Sequence, residues 1–152
     1  MKYTSIVYKF LFLVIIAFGS VSCSFKKVRL NDPKDNQDGL NFVSKFYKAV
    51  SDHSFSEINK FRTDSLKKFT GENGLTSLLK TINIKAGSFQ KFEEVAHYNM
   101  AIDDGKPVVL YNYKIKVTYD KGVVLETIGL RKADGKPILL NSYHANSDLL
   151  VK

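Results

Sequence analysis

The sequence predicts an α+β fold in which three N-terminal helices pack on a curved, four-stranded antiparallel meander. Two observations carry that expectation. As far as Gly87 the apolar residues recur at three- and four-residue steps, whereas from Phe89 onward they alternate with polar ones; the first is the period of a helix with one buried face, the second that of a strand. The connections in the second half also carry turn chemistry: Asp103-Asp104-Gly105, Asp120-Lys121-Gly122 and Asp134-Gly135. Such short links join neighbouring antiparallel strands. Helices followed by a meander bury their apolar stripes on one face of the sheet.

The chain begins with a segment of another kind. Met1–Lys9 holds two lysines and no acid, and Phe10–Gly19 is uninterrupted apolar or small. That is the layout of a secretory signal, and the apolar stretch falls short of the roughly 20 residues a membrane span needs. Ser20-Val21-Ser22-Cys23 comes next. Small residues before a cysteine, directly after such a stretch, resemble the lipobox of bacterial lipoproteins, where the cysteine receives acyl chains such as palmitate and becomes the first mature residue. The resemblance departs at Ser20, where that family usually has leucine, and Ser20 and Ser22 also suit ordinary signal peptidase. Cysteine usage decides between the two routes. Cys23 is the only cysteine in the chain, it stands where lipidation needs it, and an unpaired thiol in an exported protein is a liability. The expected layout is a signal peptide over 1–22, lipidated Cys23 with a flexible tether to 39, a domain over 40–147 and a tail over 148–152.

Removing 22 of the 152 residues leaves 130, the length of one domain. With one cysteine no intrachain disulfide can form, so an apolar core must hold the fold. Net charge is +8, of which the leader's two lysines account for two. An exported protein rarely meets nucleic acid, and none is expected as a partner. Lys26, Lys27 and Arg29 sit beside the anchor; near an anionic membrane each adds about 1 kcal/mol of attraction, although a solvated tether explains them equally well. Ser24–Gly39 is poor in apolar residues and reads as that tether, with a coil reach of roughly 20 Å.

Leu40–Ser51 places Leu40, Val43, Phe46, Tyr47 and Val50 on one helical face. Ser54 and Glu57 have the spacing of a capping box, opening a short helix over about Phe55–Arg62 with Phe55, Ile58 and Phe61 inward. Ser65–Phe69 reads as an irregular turn. A third helix is expected over about Glu72–Asn83, with Leu75, Leu78, Leu79 and Ile82 on one face. The strands follow at Phe89–Ala101, Val108–Tyr119, Val123–Lys132 and Ile138–Ala145. Asp-Gly-Lys-Pro occurs twice, at Asp104–Pro107 and Asp134–Pro137, as one turn-to-strand solution with proline at the strand entrance, where no ladder donor is lost. In the second strand Val109, Tyr111, Tyr113, Ile115 and Val117 share a face, opposite Asn112, Lys114, Lys116 and Thr118. One face covers the core and the other is mostly wet.

The order of landmarks then becomes suggestive: Gly87-Ser88-Phe89 into a long strand, the Tyr-x-Tyr strand Leu110–Val117, a strand bearing Glu126, and an Asp134-Gly135 turn leading to Ser142-Tyr143. Over roughly Leu40 to Ser147 this resembles the small exported lipoproteins with a nuclear-transport-factor-2-like, or cystatin-like, cone-shaped domain. The resemblance implies a pocket between sheet and helices, and no assigned activity. Where relatives commonly place tryptophan after the last turn this chain has Pro137, and it contains no tryptophan.

Some cones of this shape use the pocket for proton transfer by Asp, His or Tyr. The residues placed to line it here are Phe46, Leu79, Tyr111, Tyr113, Glu126 and Tyr143, with His97 and His144 as further candidates for the chemistry. Glu126, between Val124 and Ile128 on one strand face, would look inward toward Tyr111 or Tyr113 if that face is the buried one; the opposite parity, Val123, Leu125 and Thr127, is also fairly apolar and would put it on the wet face. A carboxyl so buried would have a raised pKa and could act as an acid or base. The competing reading is structural, since tyrosines on an apolar strand face are usually core residues with bonded hydroxyls. No acids or histidines stand at metal-ligand spacing on one element, no Gly-x-Ser-x-Gly elbow or glycine-rich phosphate loop occurs, and no cofactor is implied.

Three functions follow as expectations. The first is a non-enzymatic envelope lipoprotein binding a small apolar ligand or a protein partner. The second is an acid–base enzyme using Glu126, Tyr111 and Tyr113. The third is a scaffold that dimerises through its exposed sheet face. Ser24 lacks the acid associated with inner-membrane retention, and Phe25–Leu30 lacks an acidic export tract, which points to the periplasmic side of the outer membrane.

Overall fold

Among the described residues five antiparallel strands form one sheet in the order β1 to β5, with each strand beside its neighbour in sequence. The computed structural model describes residues 27–151, so the signal segment and Cys23 lie outside the described residues. The strands are β1 (Lys27–Leu30), β2 (Phe89–Asp103), β3 (Val108–Tyr119), β4 (Gly122–Ala133) and β5 (Leu139–Asn146); the helices are α1 (Pro33–Ser51), α2 (Phe55–Lys60), α3 (Asp64–Thr70), α4 (Gly74–Ala86) and α5 (Asp148–Val151). No helix among the described residues is long and apolar enough to cross a membrane.

The α+β class and the antiparallel meander match the expectation, while the counts differ. The fifth strand lies in the stretch read as a tether. Lys27–Leu30 pairs with the end of β2, from Lys27 opposite Asp103 to Leu30 opposite Met100. Two alternations of charged and apolar residue are too few to register as strand periodicity. The tether therefore shrinks further still, because α1 begins at Pro33 and not at Leu40. Its start is nevertheless written in the sequence. Asp32 accepts from the Lys34 N–H at 2.9 Å, Pro33 opens the helix, and Asp35 sits in the first turn, the preferred chemistry for a helix N-terminus. The first two turns are polar, so the apolar stripe starts late.

Further corrections concern the other helices. The stretch around Ser65–Phe69 is not a turn but α3, capped by the Thr63 hydroxyl on the Leu66 N–H at 3.2 Å. Its single deeply buried side chain, Leu66, leaves no period to read. Ser54 makes no side-chain cap to α2, and Leu78 faces outward while Leu75, Leu79 and Ile82 are buried. The supposed C-terminal tail forms α5, so the helices are not all N-terminal. Gly87 ends α4 at φ +90°, where a Cβ would press within 2.7 Å of Asp120.

Tyr111, Tyr113, Ile115, Val117 and Tyr119 of β3 face the helices and are buried, as are Val124, Ile128 and Leu130 of β4. With Val43, Phe46, Tyr47, Leu79 and Ile82 they form one core. The register of β2 shifts between Phe89 and Lys91 and between Glu94 and Ala96, and such irregularities bend and twist a strand locally. At the far side, Phe61–Thr63 runs beside β5: the Leu140 N–H donates to the Phe61 carbonyl at 2.6 Å, and the Thr63 N–H to the Leu140 carbonyl at 2.9 Å. Arg62, between them, is only 1% exposed. Its guanidinium donates to the carbonyls of Gly71 and Glu72, each at 2.8 Å, and to the Thr70 hydroxyl at 3.2 Å. This fork ties the α3–α4 turn to the sheet edge.

Candidate functional site

Glu126 points inward, with none of its surface exposed. Val124 and Ile128, two residues to either side, share that face by strand alternation and are buried with it. Its partners, however, are not the tyrosines expected. Tyr47 of α1 donates its hydroxyl to Oε2 at 2.8 Å, and Tyr119 at the end of β3 donates to Oε1 at 2.8 Å. Tyr143 of β5 faces the same carboxyl without completing a hydrogen bond, which leaves its buried oxygen unpartnered. Burial raises the carboxyl above its ordinary 4.5, with the tyrosine hydroxyls pulling the other way. Burial and the neighbouring carboxylate push Tyr47, Tyr119 and Tyr143 up as well.

Tyr111 and Tyr113 belong to a different neighbourhood, against the first half of α1. The Tyr113 hydroxyl donates to the Asn36 carbonyl at 3.0 Å, and burial raises its pKa to about 12. Tyr111 is also raised, by burial and then by Asp35 and Asp38, and its hydroxyl has no partner. Gly39 lets both rings approach the helix, since a Cβ there would collide with the Tyr113 hydroxyl and with Tyr111. His97 is half-buried and bonds Glu94, whereas His144 is exposed on the opposite sheet face.

The six residues expected to line one pocket thus split between two neighbourhoods, and the space between sheet and helices is taken up by rings. Tyr47 stacks on Phe89 and Phe92 with centroids 5.3 and 4.9 Å apart, and Phe46 lies 5.8 Å from Tyr143. Tyr119 and Leu79 border a cleft of only about 90 Å³, whose walls do not include Glu126. Closed off in this way, the carboxyl and the two tyrosines bonded to it act as a polar latch between α1, β3 and β4.

The larger opening is elsewhere, and sequence reasoning missed it. A groove of about 550 Å³ runs between α1, Phe61 and the start of β5. Phe42, Phe61, Pro137, Ile138 and Leu139 give it an apolar floor, while Lys45, Lys60 and Lys132 stand around it with Asn41 and one carboxylate, Asp38. Phe42 and Phe61 meet edge to face at 5.6 Å. Lys132 is engaged by Asp38 at 3.1 Å; Lys45 and Lys60 have no such partner among the described residues. These residues come from three separate stretches of chain, and no local spacing links them. An apolar trough with uncompensated ammonium groups can hold a molecule with an apolar body and an anionic end. Among the described residues no group of three or more His, Cys, Asp or Glu could hold a metal ion. A third, smaller cleft of about 170 Å³ lies beside β1, between Arg29 and Val109.

Compared with models of protein families and with curated proteins, the chain matches none.

Proposed function

We propose that the chain is a non-enzymatic lipoprotein of a bacterial cell envelope, anchored through Cys23, whose cone-shaped, nuclear-transport-factor-2-like domain binds a small anionic amphiphile in the groove. The observation that carries the binding role is the pairing of an apolar floor at Phe42, Phe61 and Ile138 with the unengaged lysines Lys45 and Lys60. Its volume, about 550 Å³, falls in the range of small-molecule sites. An extended peptide is a poorer fit, because Phe61–Thr63 already occupies the edge of β5 at Leu140 and leaves no free ladder there for strand addition. The acid–base alternative has less support: Glu126 is enclosed, and a catalytic acid must come within hydrogen-bond reach of its substrate. The anchor rests on the signal-like leader and the single cysteine, and the expected location is the periplasmic side of the outer membrane.

One purification tests both parts. Mass spectrometry of the full chain from the membrane fraction should find a diacylglyceryl group on Cys23 and a co-purifying anionic amphiphile. Cys23→Ser should move the protein out of that fraction. Lys45→Gln/Lys60→Gln should keep the anchor and carry at least fivefold less amphiphile. Unmodified Cys23 rejects the anchor, and equal amphiphile on the lysine variant rejects the groove.

A further inference from the structure

We infer that the face of the sheet turned away from the helices rests on the leaflet that holds the anchor, with its apolar end in the interface and its lysines on anionic headgroups. This inference rests on the lipid-anchored reading and adds an orientation to it.

The strand register places Val28, Leu30, Met100, Ile102, Val108 and Leu110 together on that face, in two adjacent rows across β1, β2 and β3. Val28 and Leu30 are 51% and 56% exposed and the other four are half-buried; a contiguous apolar patch of this kind marks an interaction site. It lies at the end of the sheet where the described chain starts. Cys23 precedes Lys27 by four residues, at most about 14 Å of extended chain. Acyl chains on Cys23 would therefore hold this end of β1 against the bilayer.

Charge selects the surface. Lys114 and Lys116 on β3 and Arg131 on β4 share the face with the apolar rows. Among the described residues of these strands the same face carries one carboxylate, Glu93, which stands opposite Lys116 and is engaged by Lys91 at 2.8 Å, so the cations outnumber it. Cations beside an apolar patch suit an anionic lipid surface. A second copy docked face to face about a two-fold axis suits them less, because β3 is the middle strand of the five and Lys114 and Lys116 would meet their own copies.

The chain contains no tryptophan, so one introduced indole reports position unambiguously. The full acylated chain carrying Leu30→Trp, or Ile84→Trp on the exposed surface of α4, is reconstituted into vesicles of phosphatidylethanolamine and phosphatidylglycerol with bromine-labelled acyl chains. Leu30→Trp should be quenched at least twofold and blue-shifted, and Ile84→Trp should not. Replacing phosphatidylglycerol by phosphatidylcholine, or adding Lys114→Gln/Lys116→Gln, should at least halve the quenching. Vesicle flotation separates the possible failures. Protein that floats with equal or no quenching at both positions, or with quenching indifferent to lipid charge and to the lysines, overturns the docking and leaves the anchor standing. Protein that does not float overturns both.

Discussion

The hydroxyl of Tyr47 donates to Oε2 of Glu126 at 2.8 Å across 79 residues of chain, so one bond fastens the first helix to the fourth strand at the centre of the core. Burial holds the carboxyl above its ordinary 4.5. Between 4.5 and that raised value the folded protein keeps a proton that the unfolded chain has released. The contribution of the neutral carboxyl is therefore complete below about pH 4.5 and declines as pH rises through the window. Urea unfolding of the wild type and Glu126→Gln should show the wild type losing stability relative to the variant as the pH rises above about 4.5. Parallel pH profiles would exclude a raised carboxyl.

Tyr47→Phe and Tyr119→Phe each delete one donor to the same group. Each should cost about 1–2 kcal/mol, measured as a lower urea midpoint with unchanged m-value. Both bonds favour the ionised carboxylate, so the loss should grow as pH rises. A loss independent of pH would mean that the hydroxyls matter only as packing.

Gly39→Ala sets helix propensity against space. Alanine improves an exposed helix by about 1 kcal/mol over glycine. Here its methyl group would run into the Tyr113 hydroxyl and the Tyr111 ring, and overpacking costs about 1–3 kcal/mol. The net loss should be up to about 2 kcal/mol, and adding Tyr113→Phe should recover part of it. A rise in melting temperature for the single variant would contradict the close packing.

Arg62→Ala removes the fork from three acceptors in the α3–α4 turn and should cost about 3 kcal/mol or more. Arg62→Lys should recover little, since one ammonium cannot reproduce the planar geometry. Hydrogen exchange should quicken first around Thr70–Glu72. Protection unchanged in that turn would dispose of the clip.

Much of the sheet was legible because alternation acts residue by residue. The inward set Tyr111, Tyr113, Ile115 and Val117 follows from parity alone, whereas the direction of Glu126 does not, because Val123, Leu125 and Thr127 make the other face of β4 nearly as apolar as Val124 and Ile128. The partners of Glu126 were less legible still. Tyr47 is recognisable as a core-facing helical residue, but which strand residue it meets depends on the docking of α1, and no local pattern encodes that. Tyr119 carried a usable signal: it continues the inward parity of β3 and lies seven residues from Glu126 across a tight hairpin. Strand β1 and helix α3 escaped because four and seven residues give periodicity too little length to show itself. The groove escaped for the same reason as Tyr47, being assembled from α1, the α2–α3 link and the start of β5.

The two Asp-Gly-Lys-Pro connections join β2 to β3 and β4 to β5, and alternate hairpins of a meander close at the same end. Lys27 pairs with Asp103 at that end, and the groove opens there beside Pro137 and Ile138. With the domain tethered as proposed, the mouth of the trough would stay at the margin of the lipid phase. A bound amphiphile could then enter and leave by lateral diffusion, a search in two dimensions that spares its tail any passage through bulk water.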